Sequence, residues 1–306
     1  MQKFAFVFPG QGSQYVGMGK DLWERSNAGR EFFERADQLL GFSLSRICFE
    51  GPEEELTQTK NTQPALFVHS LVLANLVRDE RAVAAAGHSL GEYTALVYAG
   101  AITFEEGLRL VRLRGELMQK ACDEQPGTMA AIIGLDPKAV GEVCCKAWTS
   151  GIVQAANYNS PGQVVISGSV SGVRKAMELA KVRGARMVKE LTVGGAFHSP
   201  LMESAMEGLK RVIEETEIRE ARIPAYMNAS AKPAKKPEEI RDALAQQLTS
   251  AVRWEESIRN MIADGLTRFV EVGAGKVLQG LIKRISPESE VASIERLEDL
   301  VVIDNR

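Results

Sequence analysis

Short apolar runs alternate with stretches of helical periodicity along most of this chain, and one segment breaks the alternation. Residues 3–8, KFAFVF, read as a buried strand that runs into a Gly-rich loop from Pro9 to Gly19, followed by helical sequence through about residue 49. Residues 61–79, NTQPALFVHSLVLANLVRD, carry apolar positions at helical spacing, and AVAAAG at 82–87 reads as a second strand. Helices follow from about Leu90 to Ala99 and from Thr103, where Thr103 and Glu106 are spaced as a capping box. Strand and helix in turn mean an α/β fold.

From about residue 125 to 193 the rhythm becomes TMAAIIGL, a helix over 137–148, IVQAANYN, QVVISGS, a helix over 171–183 and ARMVKELTV. That is β-α-β-β-α-β, the order of a ferredoxin-like unit, and Pro126-Gly127 and Gly194-Gly195 break the chain at its two ends. The expected organisation is a core from residues 1–124 and 194–306, with 125–193 inserted as a small subdomain. In the second half of the core, Ser199-Pro200 starts a helix and IPAYMN at 223–228 reads as a strand. PAKKP at 233–237 reads as an exposed loop, and FVEV at 269–272 as a strand before Gly273-Ala274-Gly275 and another helix.

Charge is nearly balanced, with 37 Lys and Arg against 40 Asp and Glu, and aromatic residues make up 6% of the 306. The basic residues are not clustered and stacking platforms are scarce, so no nucleic-acid partner is expected. The N-terminal apolar run ends at Pro9, too soon for a signal h-region or a membrane span. The expectation is a cytoplasmic monomer with no membrane partner. Cys48, Cys122, Cys144 and Cys145 form no CxxC pair, and vicinal Cys144-Cys145 lacks a second ligand pair for zinc. All four are expected to be reduced core thiols, and no metal is expected.

The chemistry begins at Gly87-His88-Ser89-Leu90-Gly91. A serine in G-x-S-x-G, after a short strand and before a helix, has the pattern of a nucleophile elbow, in which glycines admit the strained turn that lifts the hydroxyl clear of the backbone. The blander alternative is a Gly-flanked turn with Ser89 capping the next helix. A serine hydroxyl needs a base, and three histidines are available. His69 lies inside an apolar helix and reads as a satisfied core residue. His88 sits at a strand end, where alternation aims it away from Ser89 and toward packing or ordering the turn. His198 lies in Gly194-Gly195-Ala196-Phe197-His198-Ser199-Pro200, a loop where the inserted segment rejoins the core, and is the expected base. Its alternative is a ring that merely packs over the Pro200 turn. Asp123, Asp136, Glu178 and Glu190 all fall in helix or insert contexts, so no acid is assigned to complete a triad. A backbone carbonyl could hold the tautomer of His198 equally well.

The loop Phe8-Pro9-Gly10-Gln11-Gly12-Ser13-Gln14 invites a nucleotide reading, but Tyr15 stands where the dinucleotide fingerprint requires a third glycine and no Lys-Ser/Thr follows. Gly273-Ala274-Gly275-Lys276 fails for the same reasons. Backbone amides and a short amide side chain suit an oxyanion hole instead, with Gln11 and the Leu90 N–H as donors. A plain β-to-α turn is the alternative.

FPGQGSQ at 8–14, GHSLGEY at 87–93, RLRGELMQ at 112–119, NYNSPGQVVISG at 157–168, GAFHSP at 195–200 and the QL…VRW segment at 247–254 stand in order along nearly the whole chain. Together they resemble the malonyl-CoA:acyl carrier protein transacylase family. The resemblance implies an α/β-hydrolase-like core with a small ferredoxin-like insertion. It also implies transfer of a malonyl group from malonyl-CoA to the phosphopantetheine thiol of an acyl carrier protein through an acyl-serine, with no metal or redox cofactor. Carried over by position, Ser89 matches the acyl-accepting serine, His198 its base, and Gln11 and the Leu90 amide the oxyanion donors. Arg114 matches the arginine that holds the malonyl carboxylate, and Gln247 the glutamine whose backbone carbonyl orients the histidine. Phe197 matches a position where the family keeps a bulky side chain, leaving little room for a branch at the acyl α-carbon. By composition alone Arg114 reads as one of several cations on an exposed helix face. Two features depart from the family pattern: Gly273-Ala274-Gly275 stands where Gly-Pro-Gly is common, and the tail LEDLVVIDNR has no match. A serine hydrolase would share Ser89 and His198, whereas a non-catalytic acyl-binding module would need neither.

Overall fold

The structure, a computed structural model, describes residues 3–77 and 81–300. Ten strands are described: β1 (Phe4–Phe8), β2 (Ala82–Gly87), β3 (Gly127–Ile133), β4 (Val153–Ser160), β5 (Gln163–Ser169), β6 (Met187–Glu190), β7 (Ala225–Tyr226), β8 (Pro233–Ala234), β9 (Arg268–Val272) and β10 (Glu290–Ile294). Six form one sheet in the order β10-β9-β1-β2-β7-β8, parallel except for β8, which runs antiparallel to β7. The other four form an antiparallel sheet in the order β4-β5-β3-β6. The fold is mixed α/β, as the alternating rhythm predicts.

The apolar run of β1 is buried along its whole length because both faces of the parallel sheet are covered. Phe4, Phe6 and Phe8 pack into one apolar cluster, while Ala5 and Val7 pack into another with Trp254, Ile258 and Ile282. The parallel strands are joined by helical crossovers, among them Thr59–Val77, Gly91–Tyr98 and Phe104–Glu124. The last starts where expected, with the Glu106 N–H donating to Thr103 Oγ1 at 3.2 Å. It buries Leu108, Val111, Gly115, Met118 and Cys122 on one face, and Arg114 with them. Gly115 lets this helix touch Thr59–Val77 backbone to backbone, since a Cβ there would lie 2.8 Å from the Thr59 carbonyl oxygen. That close approach turns Arg114 inward.

The segment from β3 to β6 keeps the predicted β-α-β-β-α-β order. Its helices Pro137–Ala147 and Val170–Val182 are capped by Asp136, which accepts from the Ala139 N–H at 2.8 Å, and by Ser169, which accepts from the Gly172 N–H at 3.2 Å. They close a separate apolar cluster with Ile132, Val140, Val143, Val164, Ile166 and Val173. The free edge of β4 is stitched to residue 252 of the other sheet's layer: the Tyr158 N–H donates to the Val252 carbonyl at 2.9 Å, and the Val252 N–H to the Ala156 carbonyl at 2.8 Å.

Several local expectations need correction. IPAYMN contributes only the two residues of β7, and PAKKP is not all loop, because its Pro233-Ala234 pairs with β7 to end the sheet. ARMVKELTV pairs only over Met187–Glu190. Cys48, Cys122 and Cys144 are buried but Cys145 is exposed, since one step along a helix turns a side chain by about 100° away from the face that Cys144 buries. Residues 78–79 of the expected helical run over 61–79, and 301–306 of the unmatched tail, lie outside the described residues. Among those described, no helix is long and apolar enough to cross a membrane. The carboxyl ends of β1, β2 and β9 meet along one rim, the position at which open parallel sheets leave a crevice.

Candidate active site

β2 ends at Gly87, where a Cβ would overlap the Gly91 backbone, and a Cβ on Gly91 would overlap the Phe8 carbonyl at the end of β1. The strand can turn straight into the helix Gly91–Tyr98 only with glycine at both places. Ser89 between them takes φ 52°, and the candidate base His198 takes φ 56°. Left-handed backbone costs a residue with a β-carbon roughly 1–2 kcal/mol. Of the described non-glycine residues only Ala231 shares it, so the strain is concentrated on one hydrogen-bonded pair. Asn228 holds the turn in place, accepting from the Ser89 N–H at 2.7 Å and donating to the Gly87 carbonyl at 2.7 Å. The helix that follows has no side-chain cap, which removes the capping alternative for Ser89.

The Ser89 hydroxyl lies 2.8 Å from His198 Nε2. His198 Nδ1 faces two acceptors, the carbonyls of Gln247 at 3.0 Å and Ser250 at 3.1 Å, and must carry the proton. Nε2 is then the lone-pair nitrogen, able to take the serine proton. Burial, and after it the Arg114 guanidinium, hold the His198 imidazole far below its usual range, at about 3, while the Gln247 carbonyl works the other way. The ring is neutral throughout the physiological range, as a base requires. Among the described residues no carboxylate takes the third place of a triad; backbone carbonyls do.

Arg114 is fully buried, which overturns the exposed-cation reading. Its Nη2 donates to Ser89 Oγ and to Gln247 Oε1, both at 3.1 Å, and its Nη1 to Gln63 Oε1 at 2.8 Å. The guanidinium carbon sits 5.5 Å from the centre of the Tyr93 ring, and Nε has no partner. Among the described residues the guanidinium makes no ion pair with a carboxylate. Neutral amides hold the buried positive charge directly beside the serine oxygen, and the Glu92 carboxyl acts on it without an ion-pair contact.

Glu92, also buried, accepts from the Asn228 N–H and from Gln247 Nε2, the latter at 3.1 Å, and burial raises its carboxyl to about 7. Gln247 Nε2 donates in addition to the Ser89 carbonyl at 2.9 Å. Gln11 stands on the loop after β1 with Nε2 on Thr59 Oγ1 at 3.3 Å, and the Leu90 N–H finds no acceptor among the described residues. His88 turns away from Ser89 as alternation predicts: Nε2 pairs with Asn159 Oδ1 at 2.9 Å and the ring lies beside Trp254. His69 is a core residue as expected, but neither ring nitrogen has a well-formed hydrogen bond among the described residues. The structure thus gathers Ser89, His198, Arg114 and Gln247 into one network. Gln63, Glu92, Asn228 and Ser250 complete it and were missed, because single polar residues on helices and strand ends carry no spacing signal. Glu92 stands inside GHSLGEY and Ser250 inside the 247–254 segment.

Residues 5–298 match the acyl transferase domain model. The chain belongs to the acyl transferase domain family. It is 45% identical over 303 residues, 98% of this chain and 96% of the relative, to the malonyl CoA-acyl carrier protein transacylase of Bacillus subtilis (strain 168). An acyl carrier protein S-malonyltransferase from Vibrio cholerae superposes with a TM-score of 0.95 at 41% identity, covering 99% of this chain and 100% of that one. A malonyl-transacylase solved in complex with a type II PKS acyl-carrier protein superposes with a TM-score of 0.96 at 39% identity, covering 100% of each chain. This acyl transferase therefore has the mixed α/β fold of its solved relatives.

Proposed function

We propose that this acyltransferase moves a malonyl group from malonyl-CoA to the phosphopantetheine thiol of an acyl carrier protein through an acyl-Ser89 intermediate, supplying fatty acid or polyketide synthesis. The observation that carries the proposal is the Arg114 guanidinium, buried with no carboxylate in ion-pair contact among the described residues and in contact with the serine oxygen. An unpaired buried charge is costly. An acyl group attached at Ser89 and ending in a carboxylate brings the missing anion to it, and charge-assisted hydrogen bonds contribute roughly 1.5–3 kcal/mol. The names of the relatives support the same substrates.

In the proposed reaction Ser89 Oγ gives its proton to His198 Nε2 and attacks the thioester carbonyl. The oxyanion accepts from the Leu90 N–H and Gln11 Nε2. Collapse expels the CoA thiolate, which takes the proton back from His198 Nε2, and the acyl group stays on serine. The carrier thiol then gives its proton to His198 and attacks the acyl-serine, and the departing Ser89 oxygen recovers that proton. Arg114 depresses the basicity of His198 in the empty site. A malonyl carboxylate on Arg114 offsets that charge and relieves this second cause, while burial, the larger one, remains.

Within this proposal residues 1–124 and 194–306 form an α/β-hydrolase-like core, and 125–193 a ferredoxin-like inserted subdomain with its own sheet and apolar cluster. Phe197, 7% exposed beside the base, keeps branched acyl groups out. The enzyme works as a cytoplasmic monomer, without metal, redox cofactor, nucleic acid or membrane surface. The test is a panel of acyl-CoAs offered with one holo carrier protein and read by intact mass. A malonyl mass shift on the carrier is the expected result; release of free malonate with an unmodified carrier would make the protein a hydrolase.

A further inference from the structure

The strand β4 belongs to the inserted segment, yet its side chain at Gln154 reaches the base. Gln154 Nε2 donates to the His198 carbonyl at 2.8 Å and to the Thr249 carbonyl at 3.1 Å, which satisfies both hydrogens of one amide. His198 is the residue held at φ 56°. Thr249 lies within 247–250, the turn whose carbonyls at Gln247 and Ser250 accept from His198 Nδ1. A closed ring of contacts results: from the His198 backbone through Gln154 to the Thr249 backbone, along the turn to the two carbonyls, and back to the imidazole.

We propose that Gln154 is a positioning residue for His198, a clip from the inserted sheet that fixes the strained backbone of the base against the turn that orients its ring. The inference rests on the reading of His198 as the base of Ser89. β4 is well suited to the task, because its backbone is already bonded to Val252 just beyond that turn. The irregular register between Ala155 and Asn157 sits directly after Gln154, where a local bulge re-aims a strand side chain. Without the clip, His198 can relax out of the left-handed region, which carries Nε2 away from Ser89 Oγ. A misplacement of about 1 Å at a reacting group can cost on the order of 100-fold in rate.

The chemistry of the clip predicts an order among variants. Gln154→Leu removes the donor, Gln154→Glu sets a carboxylate against two carbonyls, and Gln154→Lys restores a multiple donor. Single-turnover malonylation of Ser89 should fall by about 10- to 100-fold for Leu, further for Glu, and recover partly for Lys, with the half-saturating malonyl-CoA concentration within about twofold of the parent. In parallel, the His198 Nδ1–H resonance in ¹⁵N-histidine-labelled protein should be lost or shifted in Leu and Glu and returned by Lys. Equal rates for Leu, Glu and Lys, or an unmoved Nδ1–H resonance in all three, would overturn the proposal. A parent enzyme that never labels Ser89 would sink the acyl-serine reading itself, and the resonance would still decide whether Gln154 holds the ring.

Discussion

An imidazole sealed inside a protein gains readiness and loses strength, and His198 shows both. With its pKa held near 3 by burial and by Arg114, it stays neutral as pH falls from 8 to 5, so the acylation step in the free enzyme should lack the acid limb near 6.5 of an ordinary histidine base. Malonylation kcat/KM measured over that range checks this. A limb near 6.5 that persists in Glu92→Gln, which removes the carboxyl of this network that burial raises to about 7, would contradict it. His198→Ala should slow acylation by roughly 10²–10⁴-fold while the protein stays folded. At this scale Ser89 and His198 are legible from their Gly-rich neighbours, since backbone strain writes itself in glycines. Arg114 is not legible from composition, because its burial depends on Gly115 letting two helices touch, a contact between residues far apart in the chain.

Elements carry the strain that residues display. The elbow exists because Gly87 and Gly91 let strand and helix nearly touch β1, so Gly91→Ala, which sets a methyl against the Phe8 carbonyl, should cost most of the stability or leave a folded protein without Ser89 labelling. Urea unfolding together with labelling tests this; a stable and active Gly91→Ala would show that the turn has slack. The helix Thr59–Val77 stores a different tension in His69, whose buried ring has no well-formed hydrogen bond among the described residues and whose pKa burial lowers to about 4. The unfolded chain binds a proton near pH 6.5 and the folded one only near 4, so this histidine's contribution is intact above 6.5 and is lost as pH falls through that window. His69→Leu should therefore gain on the parent between pH 6.5 and 4, by up to about 3 kcal/mol, read from urea midpoints at the two pH values. A constant difference at both would contradict it. The helical period predicted this element well, but not the fate of its one histidine: periodicity assigns a residue to a face and says nothing of the partners waiting there.

At the scale of the molecule two sheets share one site. The β-α-β-β-α-β segment forms one of them in a continuous stretch of chain, with its own apolar cluster. What the rhythm of the sequence cannot display is the seam, where β4 bonds Val252, Asn159 bonds His88 and Gln154 spans the base and its turn. Those contacts join distant segments through single polar atoms, and single atoms have no periodicity. The same holds for β7 and β8, too short for a pattern of alternation to form. In the proposed reaction the seam sets the base against the nucleophile, and the buried guanidinium beside them decides which acyl group the pair accepts. That central claim is tested most directly by labelling Ser89 with malonyl-CoA and with acetyl-CoA, in the parent and in Arg114→Ala, and weighing the peptide that carries residue 89. Malonyl labelling should fall by the 10- to 100-fold that a charged hydrogen bond of roughly 1.5–3 kcal/mol supports, while acetyl labelling holds or rises. Equal losses for both acyl groups, or label on a residue other than Ser89, would contradict it.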